Sequence, residues 1–143
     1  YDPVREELFS ARRGGGAFLN GEPVRPRTVG SLEQAVLSGG FFKAQSIREG
    51  ARAFQELTAR VKKIRFLGSA ALDLCYLACG RFNAYLQHQV NEWDIAAAGL
   101  VAEEAGALVE VFHRGERMDV LAADRNVFAD LRAIVVPGER AGL

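Results

Sequence analysis

Trp93-Asp94-Ile95-Ala96-Ala97-Ala98-Gly99-Leu100-Val101-Ala102-Glu103-Glu104-Ala105-Gly106-Ala107 is the stretch whose reading decides the fold. It reads as a helix of small apolar residues from Trp93 to Ala105, stopped by Gly106, a residue free to take the left-handed conformation that ends helices. Asp94, Glu103 and Glu104 are its only charges. At about 100° per residue, Asp94 shares a face with Ala97, Ala98 and Val101, while Glu103 points the opposite way. A carboxylate above small apolar side chains must be solvated, paired or bound to a cation, because burial alone is costly. A first-turn aspartate that only complements the helix dipole fits the same spacing.

Working outward, strands and helices alternate. Downstream, Leu108–Phe112 and Asp119–Ala123 read as strands, a closing helix starts near Asn126, and Ala133–Val136 reads as a last strand. Upstream, Phe82–Leu86 is a strand, and Ser69 caps a helix that stops at Gly80. Ile64–Leu67 is a strand. Ser46-Ile47-Arg48-Glu49 fits a capping box, in which hydroxyl and carboxylate each satisfy a free amide. The helix it opens runs to about Lys63, with Ile47, Ala51, Phe54, Leu57 and Val61 at helical spacing. Ala35–Leu37 is a short strand ending at Gly39-Gly40. Before it come a strand at Arg5–Arg12, the run Gly14-Gly15-Gly16, and a hairpin whose Asn20-Gly21 pair suits a two-residue turn. This alternation implies an α/β fold, a layered sheet-and-helix sandwich.

The chain has 143 residues, which suits a single domain with its strand and glycine-rich hairpin in 1–30 and its α/β portion in 31–143. With 18 basic and 18 acidic residues, it lacks the basic footprint of a nucleic-acid binder. No apolar run reaches about 18 residues, so no membrane span is expected. Cys75 and Cys79 lie four apart on an apolar helix and read as two small buried residues. That suits a reducing cytoplasm better than a disulfide framework, and neither His88 nor His113 completes a zinc site with them. The chain opens at Tyr1 in what reads as mid-strand, so a piece of a longer protein is expected.

The segment Trp93–Ala107 resembles the C-terminal signature of the inositol monophosphatase family: a Trp-Asp pair, a small-residue helix, then Glu-Ala-Gly-Gly, with Ala107 where the second glycine is commonest. Gly68-Ser69-Ala70-Ala71-Leu72-Asp73-Leu74-Cys75 is similar to the family's Gly-Ser/Thr-Ala-Ala helix start. Tyr1-Asp2-Pro3 through Arg12, with Gly14–Gly21, resembles its tyrosine-aspartate-proline strand and glycine-rich hairpin. The resemblance covers nearly the whole chain. It implies a C-terminal half of a layered α-β-α-β-α phosphatase, magnesium-dependent and commonly homodimeric, that hydrolyses a phosphorylated small molecule. By resemblance, Asp94 is a magnesium ligand lying close to substrate hydroxyls, and Gly68, Ser69 and Ala70 contact substrate. Such a turn suits anions or sugar oxygens, since a glycine before a helix lets free amides approach a ligand. An ordinary strand-to-helix turn capped by Ser69 fits as well. Gln87 stands where many inositol-specific members carry a glutamate that holds substrate hydroxyls. It also reads as a solvated strand-end residue. His88 and Glu92 read as loop residues, and Arg12, Arg13, Arg25 and Arg27 as solvent-facing charges around the hairpin.

The family's other metal ligands are a glutamate on a helix and two aspartates of an Asp-Pro-Ile/Leu-Asp-Gly-Thr motif, and the sequence contains neither. In Asp2-Pro3-Val4-Arg5-Glu6, arginine stands where the second aspartate would be. One carboxylate cannot position magnesium for in-line attack, so this polypeptide alone is expected to be inactive or nearly so. Two alternatives accompany that reading. The chain could be a non-catalytic remnant that binds a homodimer mate or a complementing N-terminal half. Its parent could instead act on histidinol phosphate, fructose bisphosphate or a 3′-phosphoadenosine nucleotide.

Overall fold

The structure, a computed structural model, describes residues 1–40 and 47–136. Near its start the buried Asp2 exchanges backbone hydrogen bonds with Glu7, and its Oδ1 accepts from the Val4 amide at 2.9 Å. An aspartate that bonds the backbone two residues on favours a turn over extended chain. The first strand is therefore delayed: β1 covers Phe9–Arg12, not the whole run from Arg5. β2 (Gly16–Leu19) and β3 (Glu22–Pro23) complete an antiparallel three-stranded sheet. Between them Asn20 and Gly21 have φ of 50° and 85°, the paired positive values expected of an Asn-Gly turn.

β4 (Val36–Gly40), β5 (Lys63–Arg65), β6 (Ala84–Val90), β7 (Leu108–Arg114) and β8 (Arg117–Ala123) form a second sheet in the order β5-β4-β6-β8-β7. β5 and β6 run parallel to β4, while β8 is antiparallel to both β6 and β7. α1 (Ile47–Arg60) lies between β4 and β5, α2 (Ala70–Ala78) between β5 and β6, and α3 (Glu92–Ala105) between β6 and β7. α4 (Phe128–Val135) follows β8.

Several boundaries differ from the sequence expectations. Ala133–Val136 is no strand: Ala133 to Val135 complete α4. Leu131 and Ile134, three apart and both buried, hold one helix face to the core and override the β-branched preference of Val135. β5 is shorter than the expected Ile64–Leu67, and Phe66 and Leu67 are exposed. In α1 the buried face runs through Ala53 and Leu57, with Ala51 and Phe54 exposed. The capping box at Ser46-Ile47-Arg48-Glu49 rests on Ser46, which lies outside the described residues.

Alternate residues of the five-stranded sheet serve two cores. Leu37, Ala84, Leu86, Leu121 and Ala123 pack with Leu57 of α1 and with Leu131 and Ile134 of α4. Tyr85, Val120 and Ala122 face the other way, onto Leu74 and Ala78 of α2 and Ala98, Val101 and Ala102 of α3. Ala17, Phe9 and Ala11 of the small sheet join that same cluster. The layers are therefore the three-stranded sheet, α2 with α3, the five-stranded sheet, then α1 with α4. This is the layered α/β sandwich expected. Glu104 of α3 fastens the small sheet by accepting from the amides of Gly14 at 2.8 Å and Gly16 at 3.0 Å. Those amides hold its carboxyl below the usual range.

Two positions carry unusual stress. Gly39 has φ of +154°, and a Cβ there would lie 1.8 Å from the carbonyl oxygen of Leu86. Asp73 on α2 is 1% exposed, and neither of its oxygens has a hydrogen-bond partner. The Ser38 hydroxyl, equally buried on β4, is near it without reaching bonding geometry. Burial pushes Asp73 up from 3.8 to about 6, with the Ser38 hydroxyl pulling the other way.

Gly39→Ala is expected to cost at least about 3 kcal/mol, or to abolish soluble protein, because backbone must move to admit the methyl; a melting curve like that of the parent would refute the close contact. An acid whose pKa is raised by folding contributes stability that is intact below its unfolded value and is lost as pH climbs through its folded value. Stability should thus fall between about pH 4 and pH 6 on account of Asp73. Asp73→Asn should remove that slope and add roughly 1–3 kcal/mol at pH 8, as urea melts at several pH values would report.

Candidate functional site

Three strands and two helix starts meet along one edge. β4, β5 and β6 point the same way, so their carboxyl ends share that edge. β5 leads through Gly68 into α2, and β6 leads directly into α3, which places the first turns of both helices there. Gly40 at the end of β4 lies opposite Gln87. Ligands of open α/β sheets bind at such carboxyl edges.

Asp94 stands in the first turn of α3 and is half-buried. Its Oδ2 accepts from the backbone amide of Asn91 at 3.2 Å and from Asn91 Nδ2 at 3.0 Å. That closes the helix start, as the dipole-complementing alternative requires. Oδ1 takes no hydrogen bond among the described residues, and no lysine or arginine there pairs with the carboxylate. One oxygen serves the helix and the other is uncommitted. Beside it in the sequence, Trp93 is 81% exposed.

Gly68 has φ of +80°, and nothing lies within 4 Å of where a Cβ would stand. The position needs glycine for its backbone and leaves open space above it. Ser69 caps α2 by accepting from the Leu72 amide at 3.3 Å. The amides of Ala70 and Ala71, without intrahelical acceptors, remain for other partners. The capped-turn reading and a ligand-facing turn are thus compatible.

Gln87 is half-buried, and its Oε1 accepts from the hydroxyl of Tyr85 at 2.9 Å. Tyr85 lies wholly in the core between the five-stranded sheet and the helices α2 and α3. Burial, then the charges of Asp73 and Asp94, raises its pKa far above the usual value, so the phenol keeps its proton. Tyr85 thus bonds Gln87 while lying in the field of Asp73 and Asp94. Sequence reading missed Tyr85 and Ser38, which look like ordinary strand residues. Asp73 could have been found, since it is the lone charge in the apolar helix Ala70–Ala78.

His88 and Glu92 are not loop residues. His88 belongs to β6, where an irregular register and a φ of 57° at Gln89 mark a bulge. Asp119 of β8 holds that bulge, with its Oδ2 3.2 Å from His88 Nδ1 and its Oδ1 accepting from the Gln89 amide at 3.0 Å. Glu92 is the first residue of α3. Arg12, Arg13, Arg25 and Arg27 are exposed, as expected, and Arg13 lies 4.0 Å from Glu103. Cys75 is buried, Cys79 half-buried, and both are free thiols.

Among the described residues no group of three or more His, Cys, Asp or Glu could hold a metal ion. Oδ1 of Asp94 suits a hard cation such as magnesium, but as one ligand only; water or other oxygens would have to complete the shell. Among the described residues, no helix is long and apolar enough to cross a membrane.

Comparison with known proteins agrees with this fold. The model of the inositol monophosphatase family matches residues 1–137. The protein named Nus factor SuhB of Pseudomonas aeruginosa is 37% identical over 144 residues, covering 95% of this chain and 53% of that protein. Inositol-1-monophosphatase of Synechocystis is 37% identical over 114 residues, covering 78% of this chain and 40% of its own length. The crystal structure of the extragenic suppressor protein suhB from Bartonella henselae superposes with a TM-score of 0.88 at 31% identity, over 96% of this chain and 55% of that one. The chain spans about half the length of the curated relatives it matches. On the family match, the relatives and the shared fold together, the chain belongs to the inositol monophosphatase family.

Proposed function

We propose that this chain is the substrate-facing part of a magnesium-dependent phosphomonoesterase acting on an inositol or sugar phosphate. The observation that carries the reading is the uncommitted Oδ1 of Asp94, on the same sheet edge as the open turn at Gly68. Asp94 would hold magnesium, which when bound neutralises charge on phosphoryl oxygens and lowers the pKa of attacking water. The amides after Gly68, with Ser69 and Ala70, would receive anionic or sugar oxygens. Gln87 would meet the substrate away from the phosphate. With one metal ligand, these residues by themselves would not catalyse. The remaining ligands would come from the half of the relatives' length that this chain does not match.

A second reading has a specific observation behind it. Several relatives, including that of Pseudomonas aeruginosa, carry the name Nus factor SuhB. A factor can act by binding, without turnover, and this chain's layered core and exposed edge would suffice for that. The two readings part company in a complete family member built around this half: loss of phosphatase activity in Asp94→Asn with full retention of its cellular role would favour the second.

Magnesium titration of the 143-residue chain, followed by the fluorescence of its only tryptophan, Trp93, should show weak binding that Asp94→Asn weakens by at least about tenfold, a loss of about 1.4 kcal/mol. Identical titrations of the two proteins would remove Asp94 from the metal site. A preparation of these residues alone should hydrolyse inositol phosphate far below the ordinary enzyme range of about 1–1000 per second. Turnover within that range would show that the missing ligands are not needed.

A further inference from the structure

Tyr85 is 0% exposed, and Oε1 of Gln87, 2.9 Å from its hydroxyl, is the one hydrogen-bond partner the structure gives it. The polar groups buried nearby do not serve: both oxygens of Asp73 and Oγ of Ser38 are without partners. A buried hydroxyl whose proton finds no acceptor is costly. Were the Gln87 amide reversed, Nε2 would face the phenol, and the phenol proton would have nowhere to go. The tyrosine therefore fixes the amide with Oε1 inward and Nε2 outward. Nε2 makes no hydrogen bond among the described residues, and it is not among the buried unpartnered atoms, so it reaches solvent. Gly40, directly opposite on β4, has no side chain to cover it.

We infer that Tyr85 is a positioning residue that makes Gln87 a pure hydrogen-bond donor toward the ligand, so that the favoured phosphate ester carries, away from its scissile phosphate, a carboxylate or a second phosphate. This rests on the reading that the edge holds the substrate. A glutamate at position 87 would offer only acceptors and suit hydroxyl protons; an amide with its oxygen already engaged offers only N–H. A polyol hydroxyl can accept from Nε2, but its own proton then gains nothing from this residue. An ionised oxygen has no proton to place and forms the shorter, stronger charge-assisted bond.

The test uses the 15N-labelled 143-residue chain with magnesium chloride and two probes, 3-phosphoglycerate and glycerol 3-phosphate, which differ in a carboxylate against a CH2OH group. The side-chain NH2 signals of Gln87 are identified by their loss in Gln87→Glu. The wild-type chain should bind 3-phosphoglycerate about tenfold more tightly, with the Gln87 NH2 signals moving. Tyr85→Phe, which keeps the ring, should reduce that preference to about threefold or less, and Gln87→Glu should reverse it. A tyrosine that served packing alone would affect both probes alike. Equal affinities in the wild type, or a preference unaltered by Tyr85→Phe, overturn the inference and leave the proposed function standing. If neither probe nor inorganic phosphate moves the signals of Gly68 to Ala70 and Asp94, both fall together.

Discussion

The carbonyl oxygen of Leu86 occupies nearly the place where residue 39 would carry a side chain. That contact between β4 and β6 is the constraint on which the sheet edge depends. It lets two parallel strands close up at their carboxyl ends, where Gly40 then faces Gln87. Parallel strands need crossover connections: α1 links β4 to β5 and α2 links β5 to β6, while α3 follows β6 on the way to β7. The first turns of α2 and α3 consequently open on the same side, and Gly68, Gln87 and Asp94 meet there although they are spread over 27 residues of sequence.

The middle layer explains the composition of α3. A helix pressed between two sheets must be apolar on opposite sides and narrow enough for both to approach. Ala98, Ala102 and Ala105 are buried, and the three-stranded sheet packs Ala17 into the same cluster. Larger side chains would pry the layers apart, and overpacking is itself destabilising. The same thinness brings Asp73 and Tyr85 into a dry interior, where an unpaired carboxylate is strongly disfavoured. The charge of Asp73 also lies close enough to Tyr85 to raise that phenol's pKa.

The layered fold was legible because the small-residue helix, the Asn-Gly turn and the glycine-ended strands each carry a local physical signal. The errors came where tertiary contacts override such signals. Ile134 and Val135 favour extended chain in isolation, yet the buried face of Leu131 and Ile134 holds the segment as helix. His88 lacks any loop chemistry of its own, and its place in a bulge is set by Asp119, 31 residues downstream. Asp94 stands out in the sequence as a carboxylate at the start of a small-residue helix and by family resemblance, but the division of labour between its two oxygens depends on Asn91 and could not be read from spacing. Tyr85 carries no local signal at all, since only folding reveals which polar atom a buried phenol can reach.

Asp94 and Glu104 sit near opposite ends of one helix, ten positions or roughly 15 Å apart. The first belongs to the carboxyl edge; the second grips the glycine turn of the small sheet. An α-helix of this length is a stiff rod, so it fixes the separation of the hairpin and the carboxylate. Where the small sheet sits relative to Asp94 is therefore set by how Glu104 seats on the turn at residues 14–16.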